Sequence, residues 1–145
     1  MQYGRSTAAR LCALLAVATA TTARAQYAWW NTVDLNPHAT ASSEAHGISG
    51  TQIAGSYSSS FTYNKANALL WDATIASQQS LHPYGFETSF ARAVSATRQV
   101  GEGILTGGTE THALLWNGTA EHFVDLHPSG FSNTYATGIR ADPRV

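Results

Sequence analysis

The chain repeats two of its motifs at a single spacing. Residues 68 to 71 read Ala-Leu-Leu-Trp and return at residues 113 to 116, while residues 81 to 86 read Leu-His-Pro-Tyr-Gly-Phe and return at residues 126 to 131 with one change. Both motifs are displaced by 45 residues. Two different motifs that share one offset indicate a duplicated structural unit, and a period in the forties is typical of stacked or radially arranged modules.

A more diverged copy lies 46 residues upstream of the second one and aligns Ala45 with Ala91. A one-residue adjustment is then expected, because it places Gln52-Ile53 beneath Gln99-Val100. The last copy stops at Val145, which is equivalent to Val100 inside an apolar segment. We therefore expect a fragment of a longer protein, with closure by association of several copies as the alternative.

The expected organisation begins with a signal peptide at 1–25, followed by a β-repeat region at 26–145. Within that region the boundaries are as follows: 26–44 is the trailing strand (Trp30 to Leu35) and loop of an incomplete unit, 45–90 and 91–135 are full units, and 136–145 is the start of a truncated unit.

The first 25 residues have the layout of a secretory signal peptide. Arg5 and Arg10 precede an apolar run from Leu11 to Ala20, and Ala23-Arg24-Ala25 is a small-x-small cleavage site. The run is about half as long as the roughly 20 residues that span a bilayer. It contains Cys12, so the mature chain lacks cysteine. We expect a secreted or extracellular bacterial protein, in the periplasm or at the cell surface, without a membrane span after cleavage.

Charge is sparse and balanced, which bears on the class of partner. The chain has eight Lys and Arg residues and nine Asp and Glu residues, and the basic residues form no run. Nucleic acid is therefore not an expected partner. A glycan or an extracellular protein is expected, with self-association as a further alternative. Tyr57, Phe61 and Tyr63, predicted on a polar loop in the Ser-rich stretch 56–64, are the candidate contacts. Alternatively, these aromatic side chains cap the end of a sheet.

The pattern of one full unit predicts four short strands. Segments 91–95, 99–105, 112–116 and 121–126 each have strand length, and Asn117-Gly118 is a tight-turn signal. We predict an all-β fold of tandem four-stranded antiparallel units of about 45 residues. Such units are the blades of β-propellers, which need about four to eight of them, so the chain would be a partial β-propeller. A β-trefoil is the alternative.

The sequence 112–139 also resembles a known family. His-Ala-Leu-Leu-Trp, Asn-Gly-Thr-Ala, Val-Asp-Leu-His-Pro-Ser-Gly-Phe and Ala-Thr-Gly-Ile, together with Gln-Val-Gly at 99–101, resemble the repeats of bacterial extracellular tandem-repeat proteins related to the HAF repeats. The likeness extends over most of the region after residue 25. It implies a secreted, propeller-like array without an established enzymatic role, and it implies no catalytic residues.

The recurring residues are expected to be structural anchors. The tryptophans would pack between units, and each histidine before proline would cap a turn or hydrogen-bond the following loop. These anchors are Trp71, Trp116, His82, His127, Pro83, Pro128, Gly85, Gly130, Phe86 and Phe131.

No pattern of catalytic or metal-ligand spacing stands out. The chain has no His-x-His or His-x3-His, and His112 aligns with Asn67, so no metal or cofactor is predicted. It has no Gly-x-Ser-x-Gly elbow, and its carboxylates do not recur between copies: Asp125 aligns with Ser80. We expect a non-catalytic binding or surface-assembly protein. The alternative is the non-catalytic blades of a secreted carbohydrate-active hydrolase or lyase.

Overall fold

The computed structural model describes residues 35–36, 42–58, 62–63, 65–73 and 77–140. The predicted signal peptide, most of the predicted strand from Trp30 to Leu35, and Phe61 lie outside the described residues. Within the described residues, no helical segment has the length and apolarity needed to cross a bilayer.

The described residues form two four-stranded antiparallel sheets, and in each sheet the strands follow one another in chain order. The first sheet contains β1 (Ser42–Ser49), β2 (Gln52–Ser58), β3 (Asn67–Asp72) and β4 (Gln78–Ser80), and the second contains β5 (Phe86–Ser95), β6 (Arg98–Leu105), β7 (Thr111–Trp116) and β8 (Phe123–Asp125). The prediction of a mostly β chain built from four-stranded antiparallel units is confirmed.

The strand bounds differ modestly from the predicted ones. β5 begins at Phe86, five residues before the expected unit boundary at Ala91. The chain turns at Gly85, whose φ is 88°, and becomes extended immediately afterwards. A positive φ of this size is readily adopted only by glycine, so this turn fixes where the second sheet starts.

β2 and β6 align at the same 46-residue offset as β1 and β5, without the one-residue adjustment that the sequence predicted. Both first hairpins have two-residue turns, so Ile53 pairs with Trp71 as Gln99 pairs with Trp116. The predicted alignment of Gln52 with Gln99 is therefore wrong by one residue. Turn length, and not the identity of two glutamines, sets the register. The offset changes from 46 to 45 in the loop that follows the second strand.

The two sheets pack face to face around one apolar cluster. β5 crosses the first sheet and contacts β1, β2 and β3. Residues of both units make up the cluster: Ala54, Ala68, Leu70 and Leu81 from the first, and Phe86, Ala91, Val94, Leu114 and Trp116 from the second. Removal of this apolar surface from water is the main favourable contribution to the packing.

Glycines on the second strand of each sheet make room for large side chains. A Cβ at Gly55 would lie 2.7 Å from the Trp71 ring, and a Cβ at Gly103 would lie 2.7 Å from the Phe86 ring. Contacts this short are not tolerated, so a larger residue at either position would displace the aromatic ring. Glycine inside a strand commonly marks such a close approach.

The two tryptophans lie on different surfaces of the stack. Trp116 is fully buried between the two sheets. Its equivalent, Trp71, neighbours Leu70 in β3, and adjacent residues of a strand point to opposite faces. Because Leu70 faces the second sheet, Trp71 lies on the face of the first sheet that points away from it.

We expect Trp116→Ala to lower the free energy of unfolding by about 3 to 5 kcal/mol, because it leaves a cavity between the sheets. Urea unfolding followed by circular dichroism measures this loss. Tyr84→Ala is the control, since Tyr84 is fully exposed and its removal should change the stability by no more than about 0.5 kcal/mol. Similar losses in the two variants would contradict this packing.

Candidate functional site

The segment that joins the two sheets forms a tight, buried junction. Leu81 and Pro83 are buried, and the Phe86 N–H donates a hydrogen bond to the Pro83 carbonyl at 3.3 Å. Gly85 occupies the third position of this turn with a positive φ, as a type II turn requires. The turn brings β5 back across the first sheet.

A buried hydroxyl connects the junction to both sheets. The Ser89 Oγ accepts a hydrogen bond from the Ala68 N–H at 2.9 Å and lies 2.8 Å from the His82 Nδ1. The Ser89 N–H in turn donates to the Ala66 carbonyl at 2.9 Å. Ser89, which is fully buried, thus ties the first strand of the second sheet to the start of β3 and to the connecting segment.

The same arrangement recurs one unit later. The Thr134 Oγ1 accepts from the Ala113 N–H at 2.9 Å and lies 2.9 Å from the His127 Nδ1, and the Thr134 N–H donates to the Thr111 carbonyl at 2.7 Å. Gly130 has a φ of 89°, close to that of Gly85. One hydrogen-bonded arrangement therefore accounts for the recurring histidine and glycine. The third member of the arrangement is a hydroxyl, which belongs to Ser89 in one copy and to Thr134 in the other. The sequence analysis did not predict it.

Burial and hydrogen bonding both act on the His82 ring. Its Nδ1 lies 2.8 Å from the Ser89 Oγ, which accepts from the Ala68 N–H. Burial lowers the pKa of His82 below its ordinary value of 6.5, and a hydrogen bond to the backbone of Phe86 opposes part of this shift. The first junction thus favours a neutral imidazole.

A polar contact also links the first strands of the two sheets, β1 and β5. β1 has a bulge at His46, and one of the two bulges of β5 lies at Arg92. These residues are equivalent in the repeat, and the Arg92 Nη1 lies 3.2 Å from the His46 Nε2. Arg92 also donates from Nε to the Glu102 carboxylate at 2.9 Å. The bulges aim both side chains at the boundary between the sheets.

The predicted partner-contacting aromatics do not form one loop surface. Tyr57 lies within β2, half-buried and paired with Ser43 and Asn67, so its predicted loop position is wrong. Serines around it suggest a loop, but the backbone pairing of β2 extends through Ser58. Tyr63 is 86% exposed with a φ of 52°, and Phe61 lies outside the described residues.

A cleft of about 900 Å³ adjoins the first junction. Pro83, Tyr84 and Phe86 contribute to one side, while Glu121 and Phe123 contribute to the other. Its walls thus combine aromatic rings with a single carboxylate.

A second cluster of side chains gathers at the second junction. The His112 ring stacks on the His127 ring, with centroids 4.0 Å apart and planes inclined by 18°. The His112 Nδ1 lies 2.7 Å from the Asp125 Oδ2. One potential ligand atom from each of Glu110, His112 and His127 lies within 4.8 Å of the others. We call Glu110, His112 and His127 the histidine cluster.

One feature of the sequence, Glu110-Thr111-His112, indicates the histidine cluster, although it is not a His-x-His motif. Glu110 and His112 are two residues apart at the start of a strand, where such residues point to the same side. His127 lies far away along the chain and reaches them only through the junction. In the first unit, Lys65 and Asn67 stand at the positions of Glu110 and His112.

Neither family models, nor curated proteins, nor solved structures match this chain. The resemblance to HAF repeats stays a prediction that rests mainly on the motifs at 112–139.

We expect the stability of the folded chain to fall as the pH drops below 6.5, in part because of His82. Its pKa is lowered on folding, so the unfolded chain binds more protons just below 6.5; the stabilisation is complete above that pH and is lost progressively below it. Urea midpoints measured from about pH 8 to about pH 5.5 test this linkage. His82→Gln should give a shallower pH dependence. Identical pH profiles for the two chains would contradict a neutral, partly buried imidazole.

Proposed function

We propose that the chain is part of a secreted, non-catalytic, propeller-like repeat array with a binding or surface-assembly role. Each four-stranded sheet would be one blade. The support is the repeated junction: the hydrogen bonds by which Ser89 joins the second unit to the first are made again by Thr134 at the end of the second unit. In repeat proteins each unit contacts mainly its neighbours, so a junction that recurs is the means by which such an array grows.

The observation that carries this proposal is a difference in exposure between equivalent residues. Leu81 is fully buried, whereas its equivalent Leu126 is 45% exposed. Phe86 is 7% exposed, whereas its equivalent Phe131 is 60% exposed. The first pair is covered where the second sheet packs on the first, and the second pair lies where a further sheet would pack.

The chemistry of the exposed face indicates what would cover it. Val124 and Tyr135 are also more than half exposed, and together with Leu126 and Phe131 they make this part of the surface apolar. Exposed apolar surface of this kind marks an interaction site. A further unit of the same type fits, because it would present the equivalents of Leu114 and Trp116, the groups that cover the first unit.

The polar side chains at the junctions support a structural role for the repeat. His82 hydrogen-bonds to Ser89, and the Ser89 and Thr134 hydroxyls each accept from a backbone N–H of the preceding sheet. A glycan or an extracellular protein remains the expected class of partner for the assembled array. Tyr84, fully exposed at the rim of the cleft beside the first junction, is the aromatic best placed to meet such a partner.

Extending the chain by one unit tests the proposal. Ile139 is equivalent to Val94, so residues 95–140 fused after Ile139 would complete a third unit in register. We expect one cooperative urea transition with an unfolding free energy raised by about 3 kcal/mol, because Leu126 and Phe131 become buried.

The control is the same extended chain with Leu126→Ser and Phe131→Ser, which should lose most of this gain. An added unit that unfolds in a separate transition, with the original transition unchanged, would refute the array.

A further inference from the structure

The end of the second sheet brings together Glu110 and His112, which the first unit lacks, and His127, which recurs in both units. The turn between β6 and β7 and the connection after β8 lie at the same end of this sheet, because alternate strands run in opposite directions. Glu110 precedes β7 and His112 lies within it. The Leu126 N–H donates to the Ala113 carbonyl at 2.9 Å, which holds the following residue, His127, beside β7.

We propose that this histidine cluster binds one divalent first-row transition metal ion, with Zn²⁺ as the best-fitting example. The ligands are the imidazoles of His112 and His127 and the carboxylate of Glu110, whose potential ligand atoms lie within 4.8 Å of one another. This binding activity lies outside the proposed array function and does not depend on it.

The hydrogen bonds of both rings leave the same nitrogen available. The His112 Nδ1 donates to the Asp125 carboxylate, 2.7 Å away, so its Nε2 carries the lone pair. The His127 Nδ1 lies 2.9 Å from the Thr134 Oγ1, and that hydroxyl has the Thr111 carbonyl as its own acceptor at 3.5 Å. The His127 Nδ1 can therefore donate to Thr134, which leaves the His127 Nε2 as the ligand.

The surroundings of His112 match those of a typical metal-binding histidine. Such residues commonly donate their second ring N–H to a carboxylate, which fixes the ring and raises its basicity. Asp125 takes this role here. The ring is also held from the sides, by stacking on His127 and by an edge contact with Phe86 at a centroid distance of 6.3 Å. His112 is thus oriented before any ion arrives.

The donor set selects the class of ion. Two imidazole nitrogens and one carboxylate oxygen suit Zn²⁺, Cu²⁺ or Ni²⁺, whereas Mg²⁺ and Ca²⁺ prefer oxygen ligands alone. Ligand atoms around tetrahedral zinc lie about 3.3 Å apart at metal–ligand distances of about 2.0 to 2.2 Å. Glu110 is exposed and can move to close the remaining gap. A depression of about 260 Å³ beside Glu110 and His112 gives room for water as a fourth ligand.

Comparison of the two units shows that the fold forms without most of the side chains of the histidine cluster. The first junction forms the same backbone turn and the same hydroxyl contacts with a different set of side chains. At the positions of Glu110, His112, Asp125 and His127, the first unit has Lys65, Asn67, Ser80 and His82. Lys65 forms an ion pair with Glu87, which places a cation where the second unit has a ligand. The ligand set is therefore specific to the second unit.

Titration of the untagged full chain with Zn²⁺, in competition with a chromophoric chelator, tests the proposal. We expect one ion per chain and no competition from Mg²⁺ or Ca²⁺. Glu110→Gln and His112→Asn should each weaken Zn²⁺ binding by about tenfold or more, and Asp125→Asn, which removes a positioning residue, by about 10- to 100-fold. His122→Gln is the matched control, because His122 lies at the connection between β7 and β8, at the opposite end of these strands from the cluster, and contacts Thr119, so the change should leave affinity unchanged.

The variants are chosen to keep the fold intact. Glu110 is exposed, and asparagine is the residue that the first unit has at the position of His112. Zn²⁺ should raise the melting temperature of the unmodified chain and of His122→Gln, but raise it much less in Glu110→Gln and His112→Asn, since a ligand stabilises the state that binds it. Absence of saturable binding, or equal affinity in all four variants, would overturn the proposal.

Discussion

The structure depends on a buried hydroxyl at the point where one sheet ends and the next begins. The Ser89 Oγ satisfies the Ala68 N–H and contacts the His82 ring in the buried region between the sheets. A buried N–H without a partner would cost about 1 to 3 kcal/mol, so this hydroxyl does more than add one bond. It fixes where β5 crosses the first sheet, and that crossing places Trp116 against the apolar face of the first unit.

Local features of the fold could be predicted from the sequence, whereas features that depend on distant residues could not. Strand periodicity is encoded by neighbouring residues, and it gave the four-stranded units. The tight turn predicted at Asn117-Gly118 is instead a longer connection, residues 117–122, between β7 and β8. The strand position of Tyr57 depends on pairing with Asn67, and the equivalence of Ile53 with Gln99 depends on turn length. Motifs with a fixed spacing indicated the repeat, but they could not predict which side chains of neighbouring units contact each other.

The histidine cluster also depends on residues that are distant in the sequence, so its chemistry could not be predicted from the sequence. His127 has a structural contact with Thr134 that its equivalent also makes, so its recurrence alone indicates architecture. Glu110 and His112 have no counterparts of the same residue type in the first unit. Their proximity to His127 is what indicates a metal-binding role for the His127 imidazole in addition to its structural one. Backbone hydrogen bonds hold the junction in both units, and this leaves the surrounding side chains free to diverge.

Amide hydrogen exchange at Ala68 tests the central claim most directly, since its N–H bonds to a hydroxyl of the following unit. If the two sheets form one cooperative stack, the Ala68 amide will exchange slowly, with an opening free energy equal to that of the buried Leu114 amide in β7. Exchange of Ala68 as rapid as that of the exposed turn residue Thr109 would contradict a shared, buried junction.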